Sequence, residues 1–169
     1  MRHYPFDVLG HWNHAEEGVK LSSNEFYAEV ERRISEHQLK DVAIERVKFP
    51  EGSIFSAKRE YLQVTRKDFV FHVCAAPFGN GCFVSWWFSS YLDEVYSFLM
   101  RIPFIGWFFR WLYRLFRRET FYRHDTASMF QSITKVAVDD AFGSLLTAQA
   151  HRPLSEEELK PIMKELFAK

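Results

Sequence analysis

Apolar residues first recur at helical spacing at Phe26, Val30 and Ile34. Just ahead of them, Ser22-Ser23-Asn24-Glu25 places a carboxylate three positions after a hydroxyl, the arrangement of a capping box, and a helix is predicted from Ser23 to about Gln38. The period then changes. Val42 to Phe49, Glu60 to Thr65, Phe69 to Ala75 and Cys82 to Phe88 are short runs rich in β-branched and aromatic residues. Pro50-Glu51-Gly52, Arg66-Lys67-Asp68 and Gly79-Asn80-Gly81 separate them with turn chemistry, and loops this short join antiparallel neighbours. The pattern predicts a four-stranded antiparallel meander. Its buried face is expected to be made by Tyr61, Val64 and the apolar residues of the last two strands, with the N-terminal helix packed against it.

Further along, Met129, Phe130, Ile133, Ala137, Ala141 and Leu145 return to helical spacing behind a cap at Asp125 or Thr126. Gly143 weakens the far end. A final helix is expected near Ser155, with Glu158 completing a second capping box, Leu159, Ile162, Met163 and Leu166 as its stripe, and Pro161 as a kink or first turn. These C-terminal helices should cover the sheet. Met1 to Leu21, punctuated by Pro5, Gly10 and Gly18, keeps no period and reads as an irregular arm whose apolar residues tuck under the core. No repeat or low-complexity tract interrupts residues 1–169, so one α+β domain is expected.

Phe69 to Leu92 contains no Asp, Glu, Lys or Arg, a run long enough by count to span a membrane as a helix. Pro77 and the Gly79-Asn80-Gly81 turn break it, Val70, Val73 and Val84 favour strands, and His72 is costly in hydrocarbon. A buried hairpin is the expectation.

The 22 basic residues balance 22 acidic ones, so any electrostatic partner must meet a local patch, and that patch runs from Arg101 to Arg123. Aromatic residues make up 18% of the chain, and such side chains either fill cores or anchor at interfaces. Two cysteines in an apolar stretch, without a CxxC pair, fit a reduced compartment. The first residues lack the apolar run and cleavage site of a secretory signal, so a cytoplasmic location is expected.

Charge and aromatic content converge on residues 90–118, read as an amphipathic, aromatic and arginine-rich helical hairpin inserted between sheet and C-terminal helix. Arg110, Arg114 and Arg117 form a narrow stripe flanked by Gly106 and Trp107. Phe104, Phe108, Trp111, Leu112, Leu115 and Phe116 lie largely on the other side. Such a face suits a helix lying in the headgroup plane, its rings at the boundary and its arginines reaching phosphates. Spanning is disfavoured, because only eight uncharged residues separate Arg101 from Arg110, against the ~20 that a hydrocarbon core demands. The bend from Ile102-Pro103 to Gly106 suggests two short helices meeting at an angle.

Candidate chemistry is sparse. Arg32 to His37 and Arg118 to His124 each set an arginine a few residues before a histidine. That spacing resembles the Arg and His pair of the HEPN ribonucleases, which implies an all-helical bundle cleaving phosphodiesters; the sheet-rich centre of this chain departs from it. His11, His14, Glu16 and Glu17 offer imidazole and carboxylate without a metal-binding spacing. His72 lies two positions from Cys74, hence on the same strand face, where a thiolate and a base are conceivable; the apolar neighbours favour inert core thiols. No Walker loop, GxGxxG or GxSxG appears.

The sequence therefore points to a non-enzymatic, monotopic protein at the inner face of a membrane, without a cofactor or metal. It would contact anionic lipid through residues 104–117 and form a homo-oligomer. A soluble module offering the same helix to a protein partner is the alternative, followed by a nuclease or other hydrolase. Nucleic acid is disfavoured, because the aromatic side chains oppose the arginines instead of interleaving with them.

Overall fold

A computed structural model describes residues 6–50, 58–91, 120–149, 151, 154 and 157–163. The fold class is α+β. Strand β1 (Phe6–Glu16) leads into helix α1 (Ser23–Glu36); β2 (Val42–Pro50), β3 (Lys58–Arg66), β4 (Phe69–Phe78) and β5 (Gly81–Tyr91) follow, then helix α2 (Phe121–Ala148) and a two-residue strand β6 (Ile162–Met163). The sheet is antiparallel in the order β2-β3-β4-β5-β1-β6, five full strands with β6 as a short edge. Between β1 and β2, helix α1 carries the chain across the sheet to its far edge.

The meander and the first helix form where the sequence places them. Ser22 caps α1, its hydroxyl accepting from the Glu25 amide at 3.4 Å. Phe26, Tyr27, Val30 and Ile34 turn inward. The charge-free run is the β4–β5 hairpin, closed at Gly79-Asn80, with Gly79 supplying the positive φ of 60° that the turn needs. From Phe69 to Ala75, β4 is buried on both faces, which is why that run carries no charge.

Both helices pack on one face of the sheet, over Trp12, Leu62, Val64, Phe71, Val73, Val84, Trp86 and Phe88. Phe142 of α2 joins the layers, its ring 6.4 Å from both Trp12 and Phe26.

Four expectations are corrected. Residues 6–16 are a full strand and not an irregular arm; the register irregularity between Val8 and Gly10 breaks the alternation by which a strand is recognised. Tyr61 faces away from the helices, because Tyr61 and Val64 are three apart in a strand and point to opposite sides. Helix α2 starts earlier, capped by Thr120, and is rotated: Phe130, Thr134, Ala137, Val138, Ala141, Phe142 and Leu146 are buried while Met129 is exposed. Thr134 is tolerated inside because its hydroxyl donates to the Phe130 carbonyl at 2.9 Å. Finally, the stretch near Ser155 is no helix where it is described. Residues 157–159 form a turn, and Ile162 and Met163, directly after Pro161, pair with His11 and Gly10 on the edge of β1.

Tyr27 shapes the sheet itself. The β3–β4 ladder pairs Arg66 with Phe69 through Leu62 with Val73 and ends there. At the next position inward on that side, the buried Tyr27 hydroxyl donates to the Glu60 carbonyl at 2.9 Å and accepts from the Ala75 amide at 3.0 Å. A helix side chain thus stands between two strands in place of a ladder bond. Burial raises the Tyr27 pKa well above that of a free phenol, so the group stays a donor. Pro77, two residues past Ala75, lies beyond the end of the β3 ladder, and its missing N–H forfeits no bond there. Tyr27→Phe is expected to destabilise the protein by about 2 kcal/mol in urea unfolding, the cost of leaving a buried amide and carbonyl unsatisfied.

Candidate functional site

The segment singled out in the sequence, with Phe104, Trp107, Phe108, Arg110, Trp111, Leu112, Arg114, Leu115, Phe116 and Arg117, lies outside the described residues. The structure does describe its two roots. The chain leaves the sheet at the end of β5, where Ser90 pairs with Phe69 beside the β3–β4 turn. It returns at Thr120, which caps α2 by accepting from the Arg123 amide at 3.3 Å. Arg123 ties the roots together: its guanidinium reaches the Ser90 hydroxyl at 3.4 Å and the Asp68 carboxylate at 3.6 Å, and lies 5.5 Å from the centre of the Phe69 ring. Beside this clamp Phe121 stands 90% exposed on the first turn of α2. Nothing in the sequence pattern picks Arg123 out from the other arginines of the patch.

The sheet face turned away from the helices carries the second group of interest. His72, Cys74, Ser85 and Ser89 are buried there. The His72 ring meets the Gln63 carboxamide at 2.9 Å, and Gln63 in turn donates to Glu45 at 2.7 Å. Phe49 and Tyr61 stand edge-on to the imidazole at 5.4 and 6.4 Å. On the neighbouring strands His11 stacks on Trp87 at 4.7 Å. His72 and Cys74 do share a face, as their spacing requires; Gln63 and Ser85 as their neighbours depend on strand register, which the sequence does not print.

Burial pushes the His72 pKa down to about 4. It also raises the Cys74 thiol, against the opposing pull of Arg59, Tyr61 and Ser85. The pair is held as neutral imidazole and neutral thiol, the reverse of what a thiolate nucleophile needs. Cys82, also buried, points to the helix side, opposite Cys74, and both thiols are free.

His11 and His14 point to opposite faces of β1, so they do not converge. His14 instead meets Glu16 at 2.8 Å, and His151 approaches the same carboxylate at 3.6 Å, which together hold the Glu16 pKa down. Among the described residues no group of three or more His, Cys, Asp or Glu side chains is arranged to hold a metal ion.

Arg32 is engaged by Glu29 and Glu36 on its own helix. Helix α1 packs on the C-terminal half of α2, where Arg33 meets Asp140 at 3.6 Å. His124 lies in the first turn of α2, about 24 Å along the helix from that contact. The two Arg and His stretches therefore do not form one site. Among the described residues no helix is long and apolar enough to cross a membrane. No protein-family model, curated protein or solved structure gives a significant match to the chain, so its functional reading rests on its own residues.

Proposed function

We propose that this is a non-enzymatic, self-associating protein of the cytosolic membrane face, whose α+β body holds residues 92–119 against anionic lipid. The observation that carries the reading is the clamp at the roots. Ser90 and Arg123 lie within one hydrogen bond of each other, so the aromatic and arginine-rich stretch is an excursion that leaves and re-enters the body at one point. Fixing both ends lowers the orientational freedom that adsorption to a surface must remove. Phe121, exposed at the same end, adds an aromatic ring to that side. The neutral state of His72 and Cys74 supports a structural role for this pair, whose residue types would otherwise suit a nucleophile and its base.

Flotation with vesicles of phosphatidylcholine, with and without phosphatidylserine, tests the reading. The protein is expected to float with the anionic vesicles and less so as salt screens the arginines. Phe108→Ser/Trp111→Ser/Leu115→Ser should reduce flotation at least tenfold while circular dichroism reports an intact fold, since three apolar anchors are worth several kcal/mol of insertion. If neither protein floats, the membrane reading fails and the same face belongs to a protein partner.

A further inference from the structure

Helix α2 keeps its outer face in two unlike halves. In the N-terminal half Tyr122 is 73% exposed, Met129 62% and, at mid-helix, Val136 46%. Spaced seven apart, they fall within roughly 40° of one another around the helix, with half-buried Ile133 beside them. In the C-terminal half the same face is hollow. Asp140, Gly143, Ser144 and Thr147 rim an open recess of about 590 Å³, flanked on one side by Arg33, which bonds Ser144 at 2.8 Å, and on the other by Asp139. A Cβ added to Gly143 would meet nothing within 4 Å.

Four residues at i, i+3, i+4 and i+7 are the hole into which a side chain of a facing helix inserts. One helix thus carries large apolar knobs at one end and a matching hole at the other, and such a surface is self-complementary when two copies run antiparallel.

We infer that α2 pairs with α2 of a second copy about a two-fold axis near Ile133, each Tyr122 seated in the other chain's recess. The register follows from the spacing. With Tyr122 opposite the midpoint of Gly143 and Ser144, Met129 opposes Val136, and Ile133 meets Ile133 and Ser132 beside the axis. In the neighbouring register Met129 occupies the recess; Tyr122 then overhangs the helix end at Gln149, and Ile133 lies against Asp139. The first register therefore buries every knob, and the second does not.

The Lys67 ammonium lies 6.0 Å from the Tyr122 ring centre and travels with it toward Asp140 of the second copy, whose 58% exposed carboxylate it would share with that copy's own Arg33. One helix face buries less than the ~800 Å² per partner of a standard interface, which places the pairing among the weak, transient contacts.

This pairing gives the self-association proposed above a surface, and it is tested without lipid, so its failure would leave the membrane reading standing. Sedimentation velocity across the micromolar range, in the Phe108→Ser/Trp111→Ser/Leu115→Ser background, removes association through the other aromatic face. A dimer is expected there. Met129→Lys should weaken it at least tenfold with the thermal unfolding midpoint of the dilute, monomeric protein unchanged, and adding Val136→Glu should restore it, because positions 129 and 136 meet twice across the axis. A protein monomeric throughout, a dimer indifferent to Met129→Lys, or a double variant that remains monomeric would overturn the pairing.

Discussion

Gly81→Ala is expected to lower the stability of the protein by about 3 kcal/mol, although it adds a single methyl group. A Cβ at Gly81 would lie 2.0 Å from the Glu16 carbonyl oxygen and 2.8 Å from the Glu17 Cα. Both are backbone atoms, and neither can move by changing a rotamer. The Glu16 end of β1 is held by its pairing with Cys82, and the Glu16 side chain by His14 and His151. Relief therefore requires β1 to lift from the start of β5. Gly79→Ala, two residues away, is the control. There a Cβ meets nothing within 4 Å, and the positive φ of 60° costs only about 1 kcal/mol. Urea unfolding of the two variants separates crowding from backbone strain. Equal losses would mean that β1 does not approach the start of β5 so closely.

The second large effect depends on pH. Burial lowers the His72 pKa to about 4 in the folded protein, against about 6.5 for an exposed imidazole. The unfolded chain therefore takes up the proton more readily. The fold keeps its full stability above the unfolded value and loses it as pH falls toward 4, by about 3 kcal/mol in total. Carboxylates held low by their partners, such as Glu29 at about 2 beside Arg32 and Arg33, lose their contribution only below their ordinary range. Asp139, raised by burial, works in the opposite sense, so the loss of stability between about 6.5 and 4.5 belongs largely to His72. Gln63, linked to Glu45, and Tyr61 face the ring from β3. Unfolding free energies at stepped pH are expected to fall across this interval in the natural protein and to stay flat in His72→Gln. A slope that survives the substitution would assign the acid sensitivity to another group.

How far these features could be read from the chain depends on the range of the forces that set them. Helix α1 and the four meander strands are local: a hydroxyl and carboxylate at Ser22 and Glu25, two-residue turns after β3 and β4, and β-branched runs declare them within a few positions. Strand β1 is not local. Its partner strand is β5, far along the chain, and the irregularity between Val8 and Gly10 hides its alternation. The orientation of α2 is hidden because Met129 counts as a core residue by type, whereas it stands outside with Tyr122 and Val136. Strand β6 is too short to have a period. Of the candidate sites, residues 104–117 stand out by composition, but the Arg123 clamp, the Gln63 partner of His72 and the recess beside Gly143 arise only when distant elements meet.

The pairing of β1 with β5 also sets the order in which the protein can be made. Strand β1 leaves the ribosome before its partner and has no ladder until Gly81–Tyr91 has followed it, and α1 cannot seat Tyr27 until β3 and β4 both exist. The β3–β4 and β4–β5 hairpins close through two-residue turns and need neither. Closure of the β1 ladder across so long a loop is then the slow step, and until it occurs the newborn chain exposes two unpaired strand edges, those of β1 and β5, to its neighbours.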